Sequence, residues 1–209
     1  MIDKICDYIT NKIRKQMPDV DDERAEVINY GIHILIGEMP KFFIFLGIAL
    51  ILGIVKEFLL SMLVIIPYRA FSGGFHLKTH IGCICMTSLY YCGIAYVSKF
   101  QLFSNNTKYI LIPIVWIFGM IMCKLYAPAD TENIPILRKK ERRIKQILSY
   151  IILTITLIIG AVINNYVISN IIILGMFLQS IMISRLAYKL TNNKYGYEVY
   201  LEEKINNLA

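Results

Sequence analysis

Charge is scarce in this chain: Asp, Glu, Lys and Arg make up 18% of 209 residues, against 56% hydrophobic. A soluble domain of this length carries nearer a quarter charged and half apolar residues. Mean hydropathy is +0.56, and the apolar residues fall in runs. The deficit therefore excludes an ordinary soluble domain and points to a polytopic membrane protein, one domain over residues 1–209. Acidic residues are the scarcer sign, 15 against 22 basic, giving +7. The excess bases sit between hydrophobic runs, where the positive-inside rule accounts for them, so no nucleic-acid partner is implied. Cysteine is limited to Cys6, Cys83, Cys85, Cys92 and Cys123. An odd number without zinc-ribbon or disulfide-framework spacing reads as free thiols on the reducing side. The chain also lacks nucleotide-binding motifs, internal repeats and low-complexity tracts. Its opening residues have neither an early apolar core nor a small-residue cleavage site, so they do not read as a cleaved signal peptide.

What is present is a series of helical patterns. Residues 1–17 carry Ile2, Ile5, Cys6, Ile9, Ile13 and Met17 at three- and four-residue intervals. That period predicts an amphipathic helix in the headgroup region, ended by Pro18. Asp21 or Asp22 is the expected N-cap of a second helix running to about Met39, so that residues 1–39 form an N-terminal pair ahead of a membrane core over 40–209. About six hydrophobic segments follow, at 41–55, 58–68, 83–98, 109–123, 147–163 and 167–184. A perpendicular span needs about 20 apolar residues, so four to six of these are expected to cross. The first two are short and meet at Lys56–Glu57. The predicted fold class is all-α, polytopic, with an N-terminal amphipathic interfacial helix.

Loop charge gives orientation. Lys124, Arg138, Lys139, Lys140, Arg142, Arg143 and Lys145 cluster in one connection, and Arg185, Lys189, Lys194 and Lys204 follow the last segment. The turn Asn164-Asn165-Tyr166 carries no charge. Both termini, the basic loop and residues 69–82 are therefore predicted on the cytoplasmic side.

The chemistry concentrates between Arg69 and Cys83, R-A-F-S-G-G-F-H-L-K-T-H-I-G-C. Ionisable groups at membrane depth are costly to desolvate and so default to function. A thiol with a nearby imidazole base can attack a carbonyl without further help. Pro67 and the Gly73-Gly74 pair predict a loop or re-entrant turn over 68–75. A helix starting near Phe75 would place His76, His80 and Cys83 on one face. His76 and Cys83 would then stand ~10.5 Å apart along its axis, too far for contact. Either the chain around Thr79–Gly82 is not helical, or His80 is the base. Geometry slightly favours His80.

Blander readings compete. A buried cysteine is usually an inert small hydrophobe, His80 suits an interface, and the glycines suit a turn. Zinc held by His76, His80 and Cys83 is disfavoured, because Leu77 stands where the metalloprotease helix has glutamate. A peptide transporter or exporter is the rival function, although the repeat symmetry of such proteins is missing.

At these residues the chain resembles the AgrB family, integral-membrane endopeptidases of Gram-positive quorum sensing. The resemblance rests on R-x-x-x-G-G-x-H followed seven residues later by Cys, here Arg69, Gly73, Gly74, His76 and Cys83. A second match is Y-A-P-A-D-T-E-N-x-P-I, Tyr126 to Ile136. Ile134 departs from the lysine that many relatives carry there. The resemblance covers essentially the whole chain and implies a thiol protease in the bacterial cell membrane, with Cys83 as nucleophile and His76 as general base.

It also implies a substrate, an AgrD-like propeptide with an amphipathic leader, a central signal and an acidic tail. Cleavage through a Cys83 thioester would be followed by closure to a thiolactone or lactone autoinducing peptide. No metal, nucleotide or redox cofactor is implied, since exchange between thioesters conserves the acyl activation. Supporting roles are expected for Arg69, either at substrate carboxylate or oxyanion or snorkelling to lipid phosphate. The backbone near Gly73 and Gly74 offers further donors. Arg138, Lys139 and Lys140 are expected to draw the acidic tail, and Glu38 to orient the histidine or pair with Arg69. Membrane lipid is a partner, and a homodimer is expected from the amphipathic edges.

Overall fold

The computed structural model describes residues 2–17, 21–77, 79–100, 105–132 and 135–206. The chain divides into two compact units, Met1–Ile51 and Leu52–Ala209. Pro18, Lys78 and Ile134 lie outside the described residues, as do the side chains of His33, Glu38 and His80.

The first unit is a pair of helices, α1 (Ile2–Gln16) and α2 (Asp22–Ile51). Asp21 caps α2: its Oδ1 accepts the Arg24 N–H at 2.8 Å, satisfying an amide that the first turn leaves unpaired. On α1, Cys6 and Thr10 are buried, and Ala25 is buried on α2. Asn29 donates to Asp7 at 2.9 Å, and Arg14 pairs with Asp22 at 2.7 Å. The expected break near Met39 does not occur. The second predicted helix and the 41–55 segment are one 30-residue helix with Pro40 inside it. An interior proline costs about 3 kcal/mol in water, but a broken helix in lipid would expose several backbone groups with no water to satisfy them.

The second unit contains α3 (Val55–Ser72), α4 (His80–Ser98), α5 (Asn105–Tyr126), α6 (Lys139–Val162), α7 (Tyr166–Met182), α8 (Arg185–Leu190) and α9 (Gly196–Asn206). Each remaining hydrophobic segment became one helix. The turn before α3 falls at residues 52–54, where Gly53 has φ +64°, so Lys56 and Glu57 start α3 rather than forming the turn. Pro67 does not interrupt α3, which runs on to Ser72. The basic run is also helical: Arg138 is the N-cap of α6 and Lys139–Lys145 its first turns. Among the described residues the regular elements are all helices, and an isolated parallel bridge joins Gly73 and Ala129 in the connections between them.

α7 is the hub, packing against α3, α4, α5 and α6. Glycines mark the closest crossings. A Cβ on Gly119 would stand 2.7 Å from Leu153, on Gly160 2.9 Å from Ile172, and on Gly175 2.8 Å from Ile65. Small residues of this kind let helices approach where burial from water cannot drive association. The outer faces remain apolar: Ile110, Ile114, Ile117, Ile121 and Leu125 form an exposed stripe on α5.

The ends of the bundle differ. At one, Lys99 Nζ reaches Gly53 O at 3.3 Å, Lys108 Nζ reaches Ile163 O at 3.0 Å, and Asn170 donates to Ser98 O and Phe100 O. These bonds satisfy helix-end carbonyls. The opposite end gathers the connection after α3, the connection after α5, and α8. Among the described residues three helices, spanning Ile81–Ser98, Thr107–Tyr126 and Lys139–Val162, are long and apolar enough to cross a membrane; Met39–Ile51 and Tyr166–Met182 are shorter apolar stretches.

Candidate active site

The site begins where α3 stops. Gly73 has φ +79° and Gly74 φ +142°, conformations that a side chain disfavours. Gly73 also lies against the α5–α6 connection: a Cβ there would stand 2.2 Å from Ala129 O. That close approach allows the bridge, with Gly74 N–H donating to Ala129 O at 2.9 Å and Ala129 N–H to Ser72 O at 2.8 Å.

Two side chains lock the turn. Gln179, fully buried on α7, donates from Nε2 to Gly73 O at 2.8 Å and to Ser72 Oγ at 3.2 Å. Its Oε1 accepts from Arg69 Nη1 at 3.4 Å and from Tyr90 OH at 3.3 Å. Arg69 Nη2 donates to Phe75 O at 3.0 Å. The guanidinium thus grips the backbone immediately before His76, and only a forked donor spans both acceptors. Of the backbone donors near Gly73 and Gly74 expected from sequence, the Gly74 N–H is engaged with Ala129 O.

Phe75, His76 and Leu77 are not helical, and the Thr79 side chain caps α4 by accepting the Gly82 N–H at 3.2 Å. This corrects the expected helix start near Phe75: α4 begins at His80. His76 therefore sits in the preceding connection, and the ~10.5 Å rise of a continuous helix no longer separates it from Cys83. Cys83 is half-buried in the first turn of α4, its N–H bonded to Thr79 O at 2.9 Å. His76 is exposed and lines a cavity of 210 Å³ with Arg69, Gly73, Gly74, Ala129 and Lys145 among its walls. Among the described residues, Cys83 does not line that cavity. Arg138, Lys139 and Lys140 are exposed at the start of α6, while Lys145 of α6, paired with Glu141 at 3.3 Å, lines the same cavity as His76. The expectations for Glu38, and for His80 as base, rest on side chains outside the described residues.

The second motif supplies the opposite wall. Asp130, its side chain fully buried, accepts the Ile136 N–H at 2.9 Å and Arg142 Nη1 at 2.8 Å. Arg142 Nη2 continues to Pro128 O at 3.3 Å, and its guanidinium lies 4.4 Å from the centre of the Tyr197 ring. One guanidinium bond and one backbone donor, both on Oδ2, repay part of the cost of burying that carboxylate. The result is a connection held rigid against Gly73. Among the described residues, no cluster of three or more His, Cys, Asp or Glu side chains is placed to hold a metal.

Sequence reading did not single out Gln179 or Asp130, and named Lys145 only as one cation of the basic run. For Gln179 a signal existed, since a glutamine inside the 167–184 apolar run is a costly polar group at membrane depth. Asp130 lay within the quoted second motif without a role.

The family model for accessory gene regulator B matches residues 6–183. The chain belongs to the accessory gene regulator B family. It is 29% identical over 205 residues to an AgrB-like protein of Listeria monocytogenes, covering 95% of this chain and 94% of that one. A Clostridium perfringens protein, AgrB-like protein 2, is 28% identical over 150 residues, 70% of each chain. No solved structure matches. Family membership ties the chain to the agr autoinducer system, and with its long apolar helices makes it a membrane protein.

Proposed function

We propose that this protein is a membrane cysteine endopeptidase that removes the C-terminal tail of an AgrD-like propeptide. The observation that carries the reading is the local order of the site. The connection pinned by Arg69 and Gln179 carries His76, and the capped first turn of α4 that follows it carries Cys83. His76 takes the Cys83 proton, and the sulfur attacks the carbonyl carbon at the end of the signal segment. The developing oxyanion is held by the α4 amides that precede the capped Gly82 N–H, which a helix leaves without intrahelical partners, at the positive end of its dipole. The C–N bond then breaks, the leaving amine takes the proton from the imidazolium, and the signal remains as a thioester on Cys83. A cysteine or serine of the bound peptide attacks that thioester, releasing Cys83 and closing a thiolactone or lactone. Water is excluded by the surrounding apolar helices, and closure profits from a high effective concentration. The protein lies in the cell membrane with the site end facing the cytoplasm, where a thiol stays reduced.

Protein reconstituted in liposomes with a propeptide and followed by intact-mass spectrometry tests this. Wild type is expected to accumulate a hydroxylamine-labile adduct on Cys83, lost in Cys83→Ala and His76→Ala and kept in His80→Ala. Loss in His80→Ala alone would move the base to His80. Unimpaired processing by Cys83→Ala would sink the peptidase reading in favour of transport.

A further inference from the structure

Tyr188 on α8 lies beyond residue 183, where the family match ends, and the chemistry above does not use it. It is nevertheless buried, 1% exposed, against both segments that build the site. Its hydroxyl donates to Ala129 O at 2.8 Å and to Asp130 O at 3.1 Å. Ala129 O is the same atom that accepts the Gly74 N–H. Its ring meets Phe75 edge-on, with centroids 6.3 Å apart and planes at 88°. One side chain thus touches the connection before His76 and the connection that this one is bridged to.

Tyr188 is itself held. Tyr195 stacks on it at 4.2 Å and 10°, and Tyr126 at the end of α5 stacks on Tyr195 at 6.1 Å and 6°. Tyr195 OH donates to Ile183 O at 2.9 Å, and Ser184 caps α8 by accepting the Ala187 N–H at 3.3 Å. Burial, with Tyr195 and Asp130 nearby, pushes the Tyr188 phenol up, so it stays a neutral donor. A general base must sit within a few tenths of an ångström of its productive place. The Gly73–Ala129 pairing is a single bridge with no strand to extend it, and such a bridge needs outside support to hold its register.

We propose that Tyr188 is a positioning residue for the reaction, its hydroxyl and ring fixing the paired Gly73–Phe75 and Ala129–Asp130 segments from which His76 projects. The inference rests on the peptidase reading. Tyr188→Phe tests it, because it keeps the ring and the volume while removing only the hydroxyl. In reconstituted protein, kcat for propeptide cleavage is expected to fall about tenfold with KM changed less than about twofold, the signature of lost alignment rather than lost binding. A second readout needs no substrate: iodoacetamide alkylation resolved by residue, with exposed Cys85 on the same helix as internal reference. The Cys83:Cys85 ratio is expected to drop in His76→Ala and to drop partway in Tyr188→Phe. If His76→Ala lowers the ratio and Tyr188→Phe lowers neither the ratio nor kcat, Tyr188 is packing only and the inference is overturned. If His76→Ala leaves the ratio and cleavage unchanged, His76 is not the base and the inference is overturned, whereas the peptidase reading itself fails only if Cys83→Ala also cleaves. Should Tyr188→Phe not fold, Phe75→Leu decides from the other side of the contact: a fall in kcat supports the inference, and wild-type kcat overturns it.

Discussion

Gly73 carries more of the site than its size suggests. It supplies a positive φ, a carbonyl for Gln179 and the absence of a Cβ where Ala129 O stands 2.2 Å from the ideal Cβ position. An alanine must either push the two connections apart or leave its backbone conformation, a strain on the order of 1–3 kcal/mol. Gly73→Ala is therefore expected to lower the thermal unfolding midpoint in detergent and to remove propeptide cleavage. Gly74→Ala keeps the strain of φ +142° but meets side-chain atoms rather than backbone, Arg69 Nη1 at 3.2 Å, and is expected to cost less. Equal midpoints for the two variants would refute the argument. The Gly-Gly pair was legible as a turn from sequence. That the first glycine alone faces a backbone carbonyl 56 residues on (129 − 73) was not, because no local pattern encodes that approach.

Between elements, α7 reaches the site through one amide. Gln179 bonds the end of α3, the turn after it, Arg69 and Tyr90. Replacing it by leucine keeps the volume close but leaves Gly73 O and the Arg69 guanidinium short of partners, at about 1–3 kcal/mol for each unsatisfied buried group. Gln179→Leu is expected to fall in unfolding midpoint and to expose residues 73–77 to protease; an unchanged proteolysis pattern would count against the lock. Helix ends were the weak point of the sequence reading for the same kind of reason. Pro40 and Pro67 look like breaks, yet α2 and α3 run through them, and α3 ends at the glycine instead. In a membrane, the cost of an interior proline is smaller than that of unpaired backbone.

Across the whole molecule the charge is lopsided. Arg69, Lys124, Arg142, Lys145 and Arg185 belong to the site end, whereas Lys56, Lys99 and Lys108 belong to the other. By the positive-inside rule the proposed orientation has the site end toward the cytoplasm. A cysteine at Asn164 is expected to react with a membrane-impermeant maleimide in intact cells lacking an outer barrier, and one at Lys140 only after the membrane is opened. The reverse pattern would invert the topology and place the thiol of Cys83 on the oxidising side.

Run length, periodicity and loop charge are local, and by themselves they determined that the chain is all helical, where its apolar segments lie, and that Arg69–Cys83 is the chemically dense stretch. The tertiary structure decided the rest: that α4 starts at His80 and leaves His76 in a connection, that this connection is bridged to Ala129, and that Gln179 and Tyr188 secure it. Those contacts join residues from about 50 to more than 100 positions apart. Only packing brings such residues together, because a hydrogen bond depends on position in space and a sequence pattern records position along the chain.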